Sequence, residues 1–377
     1  MAKNTRNAEY TKKYNRNLFL RLLRIESMSQ ADIARKIGLT RAAVSLITDE
    51  LVHEGFIAQS ETSASGRGRP PVSLELVPDS AYAVGIYLNR DGCNAGLIDI
   101  CDNVLIKERV KLEETSNKLS AIEAAIHRLL KASGVSTEKL VGVGISAPGP
   151  LDGEKGVILN PPRFDLWHNM SICSELKARL NIPVYLENNA SSLAQFHYRK
   201  SSLGNSENFL LLLVDSGVGS GIISGGKLLK GVGYFTSEIG HTSINYNGKR
   251  CVCGNIGCLE AYASIPALLA NTPFKQWREL IDKYPDNQKA FDLINLELNY
   301  LAAGIMNASN IVSIDTVVLA GDISYGTDYT APLLEEKLKT LNLRRDLLPL
   351  RVIPAITEDN TSILSAADIA FNRFLNV

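Results

Sequence analysis

The chain has 377 residues, 40 Lys+Arg against 40 Asp+Glu, and 45% hydrophobic content. That is ordinary for a globular protein, too long for one compact core and suited to two or three domains. No apolar run reaches the length of a membrane span and the polar start MAKNTRNAEYTKKYNRN has no signal-peptide core, so the expected location is cytoplasmic and membrane partners are excluded. The neutral total hides an asymmetry: residues 1–70 hold 12 Lys+Arg and 7 Asp+Glu, leaving 28 against 33 for the rest. A basic head on an acidic body points to a polyanionic partner for the head.

The head has helical periodicity. Asn15 to Ile25 puts Leu18, Leu22 and Ile25 on one face, flanked by Arg16, Arg21 and Arg24. Ser29 can cap a second helix, QADIARKIG, that ends at Gly38, and Thr40 can cap a third, RAAVSLITDELVHEG. The small Ala34 together with Val44, Ile47 and Leu51 suits two helices crossing at close range, as in a helix-turn-helix. Thr40, Arg41, Ala42, Ser45, Leu46 and Asp49 are left facing outward, so they are the candidates for base edges in a major groove.

After Gly55 the period changes to two. Phe56 to Glu61 and Val72 to Val77 read as strands flanking the polar loop TSASGRGRPP, the tip of a wing. Arg67 and Arg69, separated by one glycine, would enter a narrow A·T-rich minor groove or would meet phosphates from a flexible linker. The winged head is therefore expected over residues 1–78.

From Ala81 the pattern is α/β. AYAVGIYL and AGLIDI pair as a hairpin, a helix runs from Ser120 to Ala132, and LVGVGISAPG, IPVYLENN, NFLLLLVDSG, GSGIISG and TVVLAGD read as strands, with a last helix from Ile363 to Phe374. Ligands of such folds sit at strand ends. Between the strands lies EIGHTSINYNGKRCVCGNIGCLE, in which His241, Cys251, Cys253 and Cys258 give H-x9-C-x-C-x4-C. Three thiolates and an imidazole make a closed tetrahedral set, so one structural zinc per chain is expected. Gly254 and Gly257 would let the backbone wrap tightly, and Glu238 and Glu260 bracket the loop as carboxylates the metal does not need. Cys93, Cys101 and Cys173 read as inert thiols of a reducing compartment.

EIGH followed by CVCGNIGCLE, with GVGISAPGPLD, LENNAS and VDSGVGSGIISGG, resembles the ROK family, which groups bacterial sugar kinases with sugar-responsive transcription repressors. The resemblance covers essentially everything after residue 80. It implies an actin-like ATPase fold of two lobes over residues 79–377, divided near residue 187, with the last helix returning to the first lobe. It also implies sugar contacts from Asn188, Asn189, Glu238, His241 and Glu260, with His241 on the zinc as well.

Kinases of that family use the Asp of an ENDxN motif as general base. Here Glu187-Asn188-Asn189 places an amide there, which cannot take a proton at neutral pH. The DxGGT phosphate turn is replaced by Tyr87-Leu88-Asn89-Arg90-Asp91, and the late Gly-Gly by Ala320-Gly321-Asp322. Only Gly217-Val218-Gly219-Ser220-Gly221 keeps its form. The resulting expectation is a non-enzymatic DNA-binding repressor of carbohydrate genes, in which a sugar closes the lobes and changes how a dimer, or a further pairing into a tetramer, presents its heads to operator DNA. The alternative is an active ATP-dependent sugar kinase carrying a regulatory head.

Overall fold

The computed structural model describes residues 8–61, 72–89, 92–112, 117–162, 164, 167–201, 206–231, 236–343, 347–356 and 359–376. Two compact units emerge: residues 1–146, 172–186 and 362–377 form the first, and residues 147–171 and 187–361 the second.

In the first unit, α1 (Ala8–Leu23) is followed by β1 (Met28–Ser29), α2 (Gln30–Ile37), α3 (Arg41–His53), β2 (Ile57–Glu61) and β3 (Val72–Leu76). Ser29 Oγ accepts the Asp32 N–H at the start of α2, and Gly38 ends it at φ 69°, a left-handed conformation that costs glycine nothing. Thr40 Oγ1 accepts the Ala43 N–H at 3.2 Å and so starts α3. Val44, Ile47 and Leu51 point inward as expected. The strands form a sheet in the order β1-β3-β2, with β2 and β3 antiparallel from Ile57 opposite Leu76 to Glu61 opposite Val72.

The expected face of α1 is corrected. Phe19, Leu20 and Leu23 are its buried apolar residues, while Ile25 lies beyond the helix end and is exposed. Arg24, read as a basic flank, is buried as well. The apolar residues of α1 occur at adjacent and at three-residue spacings, so Phe19-Leu20-Leu23 and Leu18-Leu22-Ile25 are equally helical in sequence, and only packing selects between them.

The same unit continues with β4 (Tyr82–Asn89), β5 (Gly92–Asp99), β6 (Val104–Lys111), α4 (Lys118–Ser133) and β7 (Leu140–Ala147). The chain then makes the short hairpin β8 (Leu151–Asp152) and β9 (Val157–Ile158), which falls in the second unit, before α5 (Ile172–Leu180) and β10 (Val184–Asn188). The sheet order is β10-β7-β4-β5-β6, with β4 parallel to β7 and antiparallel to β5. Exposure alternates along β6, whose outer face is solvated.

The C-terminal helix of the chain, residues Thr361–Phe374, packs on this sheet. A Cβ at Gly85 would stand 2.1 Å from the Ile363 oxygen and one at Gly144 1.9 Å from the Ala366 oxygen, so the close seat exists only because these strands carry no side chain there. The head and this lobe fall in one compact unit.

The second unit is built on α6 (Asn189–Lys200), β11 (Phe209–Val214), β12 (Val218–Ser224), β13 (Lys227–Leu228), α7 (Glu260–Ala263), α8 (Ile265–Leu269), α9 (Trp277–Lys283), α10 (Gln288–Ser309), β14 (Thr316–Ala320), α11 (Thr327–Leu341) and β15 (Arg351–Pro354); the C-terminal helix is accordingly α12. Its sheet runs β13-β12-β11-β14-β15, with β11, β14 and β15 parallel. Alternation along β11 sends Phe209 and Leu211 toward Ala190 and Ala194 of α6, and Leu210, Leu212 and Val214 into the larger core with α10 and α11. Within that apolar core Glu297 of α10 is fully buried and neither of its oxygens has a hydrogen-bond partner among the described residues. Among the described residues no helix is long and apolar enough to cross a membrane.

Candidate functional site

The outward face of α3 carries the residues expected to read DNA. Thr40, Arg41, Ala42 and Leu46 are exposed and Ser45 is half-buried. Leu46 is 71% exposed, an apolar side chain with little burial in its own fold. Thr40 also works as the helix cap, so one lone pair of its oxygen is engaged while its hydrogen and second lone pair remain. Arg67 and Arg69 lie outside the described residues.

In the second unit the four expected metal ligands come together. One donor atom each from His241, Cys251, Cys253 and Cys258 lies within 4.8 Å of all the others. Cys253 Sγ is 3.7 Å from Cys258 Sγ, and Cys251 Sγ is 3.7 Å from His241 Nδ1. A tetrahedral ion with metal–sulfur bonds of ~2.3 Å separates its donors by about 3.8 Å, so the set fits. Burial, then the neighbouring sulfurs of Cys253 and Cys251, push the Cys258 thiol up to about 12. Three thiolates at this spacing call for a divalent cation among them. Gly254 takes φ 94° and Gly257 φ 75°, and a Cβ at Gly257 would meet the Asn245 oxygen at 1.8 Å. These two glycines therefore permit the wrap read from the sequence.

The sugar-facing candidates surround the same loop. Asn188 closes β10 and caps α6, its Oδ1 accepting the Ala190 and Ser191 N–H groups at 2.9 and 3.3 Å. That leaves its amide nitrogen turned toward Gly149. A Cβ on Gly149 would lie 3.0 Å from Asn188 Nδ2 and 3.4 Å from Glu238 Oε1, so the missing side chain keeps a polar cradle open. Burial pushes the Glu238 carboxyl above its ordinary range, with His241 opposing and Glu260 adding to the rise. Glu260 Oε2 accepts the Val218 N–H at 3.0 Å. With Nδ1 of His241 facing the sulfurs, Nε2 is the nitrogen left for a hydroxyl. Asn189 is the first residue of α6 and half-buried.

Several contributors were not picked out from the sequence. Gly149 stands in the sequence only as part of the LVGVGISAPG stretch. Glu187, taken as a motif letter, is a buried carboxylate whose Oε1 accepts the Asn188 N–H and whose Oε2 pairs with Lys230 Nζ at 2.7 Å. It fixes the backbone from which Asn188 projects. The signal available was the unbroken LENN run, since a strand that ends in consecutive polar residues must find partners for them.

At the expected nucleotide end, a cavity of about 750 Å³ is lined by Trp277, Arg278, Gly321, Asp322, Tyr325 and Thr327, among others. Gly321 has φ 81° and a Cβ there would meet the Val214 oxygen at 2.7 Å. Burial, then the nearby Asp215, pushes the Asp322 carboxyl upward. At the end of β4, Asn89 pairs with Gly92 of β5, and Arg90 and Asp91 lie outside the described residues.

Comparison with known proteins marks a head and a body along the chain. The profile of the MarR family matches residues 18–68 and that of the ROK family residues 83–373. The xylose repressor of Bacillus subtilis (strain 168) is 27% identical over 98% of this chain and 97% of its own. The DNA-binding transcriptional dual regulator NagC of Escherichia coli (strain K12) is 25% identical over 98% and 95%. Among solved structures, a ROK family transcriptional regulator described as a homolog of the E. coli MLC protein superimposes with TM-score 0.80 at 22% identity, covering 97% of this chain and 98% of that one. A ROK hexokinase from Thermus thermophilus superimposes with TM-score 0.65 at 27% identity, covering 78% of this chain and 99% of the enzyme, so the family's fold spans regulators and kinases alike. With the family profile matched across 83–373, behind a MarR-type winged head, the chain belongs to the ROK family.

Proposed function

We propose that this protein is a transcriptional repressor of carbohydrate-metabolism genes whose operator binding is controlled by a sugar held in the second unit, and that it does not phosphorylate that sugar. One observation supports this above the others. Asn188 and Glu238 face the open position at Gly149, His241 belongs to the metal loop and Glu260 is tied to Val218, while the position that must supply a base in a kinase holds the amide of Asn189. A site that keeps its hydrogen-bonding groups and lacks its proton acceptor binds a polyol without activating it. His241, Cys251, Cys253 and Cys258 would hold one zinc ion, whose contribution is to fix the loop that presents Glu238 and Glu260.

The head reads operator DNA through Arg41, Ala42, Ser45 and Leu46 of α3, with Thr40 at the helix start and Arg67 and Arg69 on the wing. A single such head covers few base pairs, so a homodimer on a two-fold symmetric operator is the working assembly, with a tetramer as its extension. Xylose and N-acetylglucosamine, after the names of its relatives, are the first effectors to try. The test is operator titration with and without each sugar, followed by thermal denaturation with the same sugars, since a ligand of the folded state raises the midpoint.

The second reading, an active kinase with a regulatory head, is favoured by the open cavity at Gly321 and Asp322. ADP release on incubation with ATP, magnesium and a panel of hexoses would establish it.

A further inference from the structure

The charged residue most thoroughly enclosed within the described head is Arg24, just past the end of α1, and its partners lie outside the head. Its Nη1 donates to Asp368 Oδ1 of α12 at 2.9 Å, its Nη2 to Asp102 Oδ1 in the β5–β6 turn at 2.9 Å, and its Nε to the Ile100 carbonyl at 3.1 Å. The guanidinium also stands over the ring of Phe371, 4.4 Å from its centroid. Side-chain exposure is 1% for Arg24, 1% for Asp368 and 7% for Asp102. All of these residues fall in the first compact unit.

The two acceptors are held in place before Arg24 arrives. Asp102 adopts φ 69°, an uncommon conformation for a residue with a side chain, and its turn is tied by Asp99, whose carboxylate accepts the Cys101 and Asn103 N–H groups and the Asn103 side-chain amide. Asp368 accepts Asn372 Nδ2 at 2.9 Å, one turn on along α12. Around this centre the contact continues: Arg21 Nη2 donates to Asn376 Oδ1 at 2.6 Å, and Phe56 stacks on Phe374 with centroids 6.2 Å apart. Helix α12 starts where the chain passes from the second unit to the first, is seated on the sheet through Gly85 and Gly144, and reaches the head at its other end.

We propose that Arg24 is a positioning residue: with Asp102 and Asp368 it pins the head to the first lobe, and through α12 it makes the head's placement responsive to events in the second unit. The inference builds on the sugar-controlled operator binding proposed above. A merely adhesive contact would be served by the apolar pair Phe56 and Phe374. A fork engaged by two fixed carboxylates and a carbonyl has one geometry, so it specifies orientation as well as adhesion. Because two buried carboxylates share a single cation, a shift of either changes the balance at the other.

The test uses the full-length protein and two conservative variants, Arg24→Lys and Asp102→Asn. Lysine keeps the charge and cannot engage both carboxylates and the carbonyl at once; asparagine keeps the shape of Asp102 and removes its charge. Hydrogen exchange is read at the end of α12, and operator affinity is read with and without the sugar that raises the protein's own melting midpoint.

The pin predicts that Asp102→Asn loosens exchange over Phe371–Asn376 on α12, although the substituted residue lies in the β5–β6 turn. It also predicts that both variants keep the sugar-induced midpoint shift while the sugar's effect on operator affinity falls at least about fivefold, a typical size for coupling between sites. A purely structural role would lower the midpoint and leave the ratio of affinities unchanged, and that result would overturn the proposal. Should no sugar act on the unmutated protein, the function proposed above fails. The exchange measurement then still decides the pin: unchanged protection of α12 in Asp102→Asn rejects it.

Discussion

Glu260 Oε2 accepts the backbone N–H of Val218 at 3.0 Å, which joins the residue after the metal loop to the glycine turn after β11. A Cβ at Gly217 would come within 2.9 Å of the same oxygen. The carboxylate is thus already half engaged, and in the proposed sugar site its second oxygen would be the one to meet a hydroxyl. Order in the loop is transmitted to the turn by this bond.

Loss of the metal therefore propagates. Cys253→Ser is expected to abolish stoichiometric zinc, lower the melting midpoint and remove the sugar-induced midpoint shift, while the head retains operator binding. Elemental analysis of the purified wild-type protein should give one zinc per chain, and its absence would reject the metal assignment.

The wing supplies a second expectation. Arg67→Ala with Arg69→Ala should weaken operator binding and flatten its dependence on salt, because each lost phosphate or groove contact releases fewer counterions. A larger loss on operators with A·T-rich flanks than on those with G·C flanks would show minor-groove insertion. An equal loss on both would reduce the wing to a basic linker.

Burial without a partner drives the Glu297 carboxyl well above its ordinary range. The folded chain then holds a proton there that the unfolded chain releases near pH ~4.3. Since the folded state binds more protons above that pH, stability falls as pH rises through the window up to the raised folded value. Glu297→Leu removes both the buried polar group and the titration. It should stabilise the protein at pH 8 by about 1–3 kcal/mol and by less at pH 5. Melting midpoints of the two proteins across this range test it, and parallel curves would contradict it.

Much of this was legible in the residues themselves. The caps Ser29 and Thr40, the change of period after Gly55 and the spacing of His241 with three cysteines are local patterns, and local patterns survive into the fold. The choice of buried face on α1 was not legible, because two sets of apolar residues satisfy the same helical spacing. Arg24 was misread for a deeper reason. Its partners Asp102 and Asp368 are 78 and 344 residues away, and nothing near a buried cation in sequence announces its counter-charges. Gly149 and Glu187 fall between these cases: both sit in motifs, yet their roles depend on which side chains come to face them.

Restoring the base by Asn189→Asp is expected to leave the protein without kinase activity. The turns at Tyr87 to Asp91 and at Ala320 to Asp322 are still altered, and positioning of ATP cannot come from a base alone. Effector affinity should change, because a carboxylate only accepts where the amide also donates. Sugar phosphorylation by this variant, measured as sugar-dependent ADP release, would show that the nucleotide end remains functional.

The most direct measurement is a titration of the full-length protein onto the duplex that it enriches from a random-sequence pool, by fluorescence anisotropy, with and without the sugar that raises its melting midpoint. ATP and magnesium are present throughout and ADP is monitored in the same samples. The account predicts that the sugar weakens operator binding several-fold or more while no sugar-dependent ADP forms. Operator affinity indifferent to every sugar that binds, or sugar-dependent ADP release at a catalytic rate, would contradict it.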